Sequence, residues 1–134
     1  MSKKVFSRGD VVWAPDFFKL SMGSEFGAPN PRPWLVISHD NHPSSGTPPR
    51  GQAPWHPPRT ACEEYVALSL TTTEREIAVR IQDSDWITGG GPEDSYIVPW
   101  NPATLKHGWV GDNRQGQLKE NVVETAVEEL NTYI

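Results

Sequence analysis

Apolar and polar residues alternate along much of the chain, and this period of two predicts several short strands. The segment 64–70 is the clearest example, because Val66, Leu68 and Leu70 fall on one face of an extended chain. Further strands are predicted at 9–14, 33–39, 77–81, 95–98 and within 110–118. The chain is therefore predicted to be mainly β.

A helical period appears near the end of the sequence. Between 119 and 131 the apolar residues recur three and four positions apart, with glutamates on the other side. These apolar residues are Val122, Val123, Ala126, Val127 and Leu130. A single helical turn is also predicted at 104–107, and Pro99 is expected to end the strand at 95–98. Short strands followed by one helix predict a small, strongly bent barrel or sheet.

Two stretches rich in Pro and Gly separate the first three strands. The segment 23–31 is a polar loop that leads into the second strand. The segment 40–62 contains six Pro, and a connection of this length is usually functional or disordered. Its aromatic and cationic residues are a mixture that suits single-stranded nucleic acid, and a plain linker is the alternative. They are Arg50, Trp55, His56 and Arg59.

Arg32 lies where the loop 23–31 enters the second strand. A cation at the mouth of a strand, next to a loop, suits an anionic ligand such as phosphate, and a solvated strand-end residue is the alternative. If the second and third strands pair antiparallel end to end, paired residues have numbers that sum to 103. Thr71 then lies opposite Arg32, although a slip of one residue would separate them.

The composition is that of one small domain. The 134 residues are 36% hydrophobic, and six Trp supply large apolar area to a modest core. No apolar run approaches the roughly 20 residues of a membrane helix, and no apolar segment follows the first lysines. A single Cys62 excludes an internal disulfide and a cysteine metal site. We therefore expect a cytoplasmic protein without a membrane segment.

The charge is unevenly distributed. The net charge of −5 speaks by itself against nucleic acid. Residues 1–60 carry seven Lys and Arg against four acids, a net +3, whereas 61–134 carry five against thirteen, a net −8. The first half can present a local positive field, and the second is either solvation or a surface for a basic partner.

Other reactive groups form weaker patterns. His39 and His42 lack further metal ligands nearby in sequence, so no metal site and no cofactor are predicted. His39 is a candidate general base, because His titrates near neutral pH, although an exposed structural role is the default. The glycines at 89–91 lack the Lys and helix of a phosphate loop.

A series of short motifs resembles the MazF/PemK (Kid) toxins of type II toxin–antitoxin systems. In chain order the motifs are Gly-Asp-Val-Val-Trp at 9–13, Gly-Ser-Glu at 23–25, Arg-Pro-Trp-Leu-Val-Ile at 32–37, a hydrophobic strand ending at Thr71, and Asp-Ser-Tyr-Ile at 94–97. The resemblance covers nearly the whole chain except 40–62, which is longer than the family pattern.

The resemblance implies a fold and an activity. It implies one domain over 1–134 with an SH3-like barrel of the CcdB/MazF type, a C-terminal helix and a homodimer. It further implies sequence-specific, metal-independent cleavage of single-stranded RNA to a 2′,3′-cyclic phosphate and a 5′-hydroxyl, and control by a cognate antitoxin. The family's catalytic pair maps to Arg32 and Thr71. RNA contacts are expected from Ser24, Glu25, Pro33, Thr72 and Trp100.

One segment departs from the family pattern. Members often carry an acid and an Arg shortly after the Asp-Ser strand, and the segment 99–104 contains neither. Two alternatives therefore stay open: a non-catalytic barrel toxin that binds DNA gyrase, as the related CcdB proteins do, and an inactive RNA- or peptide-binding homologue.

Overall fold

The computed structural model describes residues 6–15, 31–39, 64–91 and 94–133. These residues form one curled, antiparallel sheet of seven strands and a C-terminal helix. The elements are β1 (Asp10–Pro15), β2 (Pro31–Val36), β3 (Glu64–Thr71), β4 (Val79–Ile81), β5 (Trp86–Gly89), β6 (Ser95–Lys106), β7 (Gly116–Leu118) and α1 (Glu120–Tyr133). The prediction of a mainly β protein with a C-terminal helix is confirmed.

The strands lie in the order β4-β6-β3-β2-β1-β7-β5. The central three are consecutive in sequence, and each pairs antiparallel with the next. Between β2 and β3, Trp34 pairs with Ser69 and Val36 with Ala67, so the paired numbers sum to 103. The predicted register is therefore confirmed over the three recorded pairs.

Both faces of the central strands are buried. On the face covered by α1, which we call the helix face, Leu35, Leu68 and Leu70 pack with the helix residues predicted from its period. On the other side, which we call the opposite face, Trp34, Val36 and their neighbours form a second apolar cluster. The buried helix residues are Val122, Val123, Ala126 and Leu130. Apolar residues in consecutive positions thus specify a sheet that is covered on both faces.

Two predictions near the end of the sheet are wrong. Pro99 does not end its strand, because β6 continues to Lys106, and the predicted turn at 104–107 is mostly strand. Among the described strands, β4 pairs only with the first three residues of β6. On that edge, Pro99 and Pro102 have no paired strand in the described part of the chain, so the N–H group that each proline lacks is not required for a hydrogen bond there. The short helical turn lies instead at His107–Trp109.

The second and fourth strands also have different bounds from those predicted. The second begins at Pro31 and ends at Val36, and the fourth begins at Val79. The described part of the chain has a single α-helix, whose 14 residues are too short and too polar to span a bilayer. The segment 40–62 lies outside the described residues.

A buried carboxylate organises the entry to β1. Asp10 is 3% exposed, and its Oδ2 accepts a hydrogen bond of 2.8 Å from the backbone N–H of Ser7. Its Oδ1 accepts a second one, also 2.8 Å long, from Nη1 of Arg114. Gly9 has a φ of 96°, and a Cβ there would lie 3.1 Å from the backbone oxygen of Leu118. The Gly-Asp pair of the family motif therefore has a structural role in this chain.

We predict that Asp10→Ala lowers the free energy of unfolding by about 3 kcal/mol, because it leaves the Ser7 N–H and the Arg114 guanidinium without their buried acceptor. Urea unfolding followed by circular dichroism measures the change. Asp112→Ala is the matched control, since Asp112 is exposed, and it should change stability by less than about 0.5 kcal/mol. Equal stabilities of the two variants would contradict this role of Asp10.

Candidate active site

The β2–β3 pairing brings Arg32 and Thr71 to one rim of the sheet. Arg32 is half-buried on β2 and pairs with Ala14 of β1. On its other side the recorded pairs reach Trp34 and Ser69, two residues from Arg32 and Thr71. Arg32 lies two residues before Trp34 and Thr71 two residues after Ser69, so in this antiparallel pair both residues are at the same end of the two strands. A guanidinium and a hydroxyl are thus carried by the same end of neighbouring strands.

Thr71 is the last residue of β3 and is half-buried. Its Oγ1 accepts a hydrogen bond of 3.1 Å from the backbone N–H of Thr73. This bond holds the hydroxyl oxygen in place, and the hydroxyl proton can still be donated to a ligand. Thr72 follows in the turn and is exposed. The strand end therefore presents an oriented donor beside Arg32.

The rim continues across two more strands. Thr71 pairs with Tyr96 of β6, and Tyr96 pairs with Arg80 of β4. Directly paired residues project from the same face of a sheet. The adjacent pair, Leu70 and Ile97, belongs to the core under α1, so Thr71, Tyr96 and Arg80 lie on the opposite face. Arg32 is at the same end of β2, and strand alternation gives it the face of Trp34, which is also the opposite face. We call the set of Arg32, Thr71, Tyr96 and Arg80 the rim row.

A bulge in β6 lies beside the rim row. Leu68 pairs with Pro102 and Leu70 with Ile97, so the residues 98–101 of β6 face Ser69 alone. Trp100 lies in this bulge and is half-buried. Ser69 is fully buried, and its Oγ has no hydrogen-bond partner among the described residues. Bulges commonly redirect a side chain next to an active site, and Trp100 has that position here.

Other residues with predicted roles are placed differently. Pro33 pairs with Trp13, and strand alternation gives it the face opposite to that of Arg32. His39 lies beyond Val36, which is itself about 13 Å from Arg32 along the strand, so it is not positioned to exchange a proton there. Ser24 and Glu25 lie outside the described residues.

Arg80 and Tyr96 were not singled out as site residues by the sequence reasoning. Arg80 interrupts the apolar run at 77–81, and alternation assigns its position to the face away from the core. This interruption is the sequence signal by which Arg80 could have been found. Its Nη2 lies 3.6 Å from Oδ2 of Asp94, and both side chains are more than half exposed. An ion pair with that geometry is weak, so the Arg80 guanidinium can also bind another anion.

The rim row combines permanent positive charge with a hydroxyl donor. Arg32 and Arg80 each carry a planar guanidinium fork that fits phosphate or carboxylate. Across the described residues, no three His, Cys, Asp or Glu side chains come together as metal ligands. The arrangement is thus suited to bind an anionic chain along the row.

Comparison with solved structures identifies the fold. The chain is similar to an endoribonuclease in complex with its cognate antitoxin from a mycobacterial species, at 24% identity and a TM-score of 0.58, over 96% of this chain and 93% of that one. It is similar to the Mycobacterium tuberculosis toxin MazF-mt6, at 15% identity and a TM-score of 0.59, over 92% and 94% of the two chains. It is also similar to MazF from Deinococcus radiodurans, at 11% identity and a TM-score of 0.61, over 96% of each chain.

No protein-family model and no curated protein matches the chain. The structural similarity extends over more than nine-tenths of each chain, although the sequence identity is below 25%. The expectation of a small barrel of the CcdB/MazF type is therefore confirmed at the level of the fold: the chain has the fold of the MazF toxins.

Proposed function

We propose that this protein is the toxin of a toxin–antitoxin system and an endoribonuclease of the MazF type that cleaves single-stranded RNA. The observation that supports the proposal is the antiparallel β2–β3 register, in which Arg32 and Thr71 belong to the same end of the two strands. The MazF fold supports it, because the solved structures that share this fold include named endoribonucleases.

The proposed reaction uses a nucleophile that RNA itself supplies. The 2′-oxygen attacks the neighbouring phosphorus, a new 2′-O–P bond forms, and the bond from phosphorus to the 5′-oxygen breaks. A base takes the proton of the 2′-hydroxyl, and the departing 5′-oxygen takes up a proton. The products are a 2′,3′-cyclic phosphate and a 5′-hydroxyl, and no metal ion takes part in any step.

Arg32 and Thr71 have separate roles in this proposal. Arg32 stabilises the charge that develops on the phosphate oxygens, since a guanidinium is a strong hydrogen-bond donor to phosphate but a poor source of protons in water. Thr71 donates its hydroxyl proton to a non-bridging oxygen, with its own oxygen held by the Thr73 N–H. Together they hold the phosphate in line with the attacking oxygen.

Further residues are proposed to contact the RNA on either side. Trp100, half-buried in the β6 bulge, offers an aromatic surface on which a base can stack. Thr72 offers an exposed hydroxyl next to Thr71. Ser24 and Glu25 are further contacts that the resemblance implies, and so is Pro33, which lies on the other face of β2 from Arg32.

Partners also belong to the proposal. One of the similar solved structures is a complex of an endoribonuclease with its cognate antitoxin. We infer that an antitoxin holds this protein inactive by covering the rim row, where an acidic residue would pair with Arg32 in place of a phosphate. A homodimer is the expected assembly.

Incubation of the purified protein with a mixed-sequence RNA in EDTA, followed by mapping of the new ends, tests the proposal. Cleavage at a short recurring sequence, with cyclic phosphate and 5′-hydroxyl ends and a rate unaffected by EDTA, is the expected result. An intact RNA pool would overturn the proposal and would favour the gyrase-binding or non-catalytic alternatives. A binding measurement between this protein and purified gyrase then distinguishes those two alternatives.

Arg32→Ala is expected to lower the cleavage rate by about several hundred-fold or more, because it removes a preorganised charge at the scissile phosphate. A time course on a single defined RNA measures the loss. Lys119→Ala removes an exposed charge just before α1 and should cleave like the wild type. A near-wild-type rate for Arg32→Ala would exclude the assigned role.

Thr71→Val should reduce cleavage less, by about tenfold, because it deletes one hydrogen bond to a charged group and not a charge. The same time course applies, with Thr88→Val as the control, since Thr88 is exposed on β5 at the far edge of the sheet. A larger loss for Thr71→Val than for Arg32→Ala would reverse the two roles.

Exposed aromatic area supports the expected dimer. Trp109 is 44% exposed, and Trp is enriched at protein interfaces. Light scattering at micromolar concentration should give twice the chain mass of 15.0 kDa. Trp109→Ala should weaken the association, whereas Ile87→Ala, another exposed apolar residue, should leave it unchanged. A monomer for the wild-type protein would refute the dimer.

A further inference from the structure

We propose that Arg80 binds a second phosphate of the RNA, one that flanks the scissile phosphate. This inference rests on the proposed function and adds a residue to it. Neither the family motif nor the sequence reasoning assigns Arg80 a role, and the assignment comes from strand pairing alone. Arg80 is the end of the rim row that begins at Arg32 and runs through Thr71 and Tyr96.

The position of Arg80 is fixed by two ladders that meet at Tyr96. The β3–β6 ladder pairs Tyr96 with Thr71, and the β6–β4 ladder pairs it with Arg80. Neighbouring strands are about 4.8 Å apart, so three steps separate the Cα atoms of Arg32 and Arg80 by about 14 Å. The row therefore has room for one phosphate at Arg32 and Thr71 and for another at Arg80.

The side chains along the rim row differ in exposure in a way that suits a bound strand of RNA. Tyr96 is 8% exposed and forms the floor between the two ends. Arg80 rises beside it with 61% of its side chain exposed. A long polar side chain at the edge of a buried aromatic floor can bind an anionic backbone lying over that floor.

Asp94 tunes this cation. Its carboxylate lies 3.6 Å from the Arg80 guanidinium, and its own side chain is 68% exposed. The pair is weak in water, and a phosphate can displace or share the carboxylate. Asp94 therefore opposes phosphate binding, so removing its charge should have the opposite effect from removing that of Arg80.

Binding of an RNA that carries a 2′-O-methyl group at its mapped cleavage site tests the inference without any catalysis. The dissociation constant is measured between 50 and 200 mM salt for the wild type and for Arg80→Gln. We expect Arg80→Gln to flatten the slope of log K against log salt by about 0.7 and to weaken binding about fivefold at 0.1 M. These are the effects of losing one phosphate contact to a single strand, because one fewer counterion is then released on binding. Arg80→Lys keeps the charge and should retain most of the slope.

Two comparisons make the result specific. Lys119→Gln also removes one positive charge, but near the opposite edge of the sheet. Its effects on the salt slope and on the affinity should each be less than half of those of Arg80→Gln. Asp94→Asn should tighten binding, and this gain should shrink in the Arg80→Gln background. On cleavable RNA, Arg80→Gln should raise KM and leave kcat unchanged, because a flanking phosphate is bound equally in the ground and transition states.

The outcomes separate this inference from the proposed function. If the wild type binds and cleaves RNA while Arg80→Gln behaves like Lys119→Gln, the assignment of Arg80 is wrong and the nuclease stands. If the wild type neither binds nor cleaves RNA, the proposed function fails and this inference fails with it.

Discussion

The pairing of β2 with β3 is the constraint on which the rest of the site depends. Trp34, Leu35 and Val36 are fully buried, and they pack alternately on the two faces of the sheet. A slip of one residue would exchange the face of every side chain in the strand, so a bulky indole would enter the packing under α1. The same core packing that prevents the slip also keeps Arg32 and Thr71 at the same end of the β2–β3 pair.

A second constraint anchors the start of that sheet. Arg8 donates to a carboxylate oxygen of Glu120 at 2.7 Å and to the backbone oxygen of Ile37 at 2.6 Å. It thereby links the beginning of α1 to the chain just beyond β2, next to the buried Asp10–Arg114 pair. The Gly-Asp motif and its neighbours thus support the site by stabilising the sheet. A motif can therefore be typical of a fold although none of its side chains takes part in a reaction.

The sequence predicted much of this structure because its strongest signals are local. The helix and the central strands follow from periodicity, and the β2–β3 register follows from matching the ends of two consecutive strands. The continuation of β6 beyond Pro99 could not be predicted, because the cost of Pro99 depends on which edge of the strand is paired, and that is a property of the assembled sheet. Likewise, Arg80 meets Tyr96 only after β4 and β6 pair, and Asp10 meets Arg114 across 104 residues of chain. Contacts between residues far apart in sequence depend on the topology of the sheet, and they cannot be predicted from composition and spacing.

The distribution of charge over the fold also resolves an apparent conflict with nucleic-acid binding. The net charge of −5 opposes an RNA ligand, and most acids lie in the second half of the chain. Several of these acids are on α1, where Glu124 and Glu128 are exposed on the side of the helix that faces away from the sheet. The helix covers one face of the sheet, whereas the rim row with its two Arg lies on the opposite face. At physiological ionic strength the Debye length is about 8 Å, so helix carboxylates beyond the sheet are screened from an anion at that row. The local field at the row, and not the net charge, therefore determines whether a polyanion can bind there.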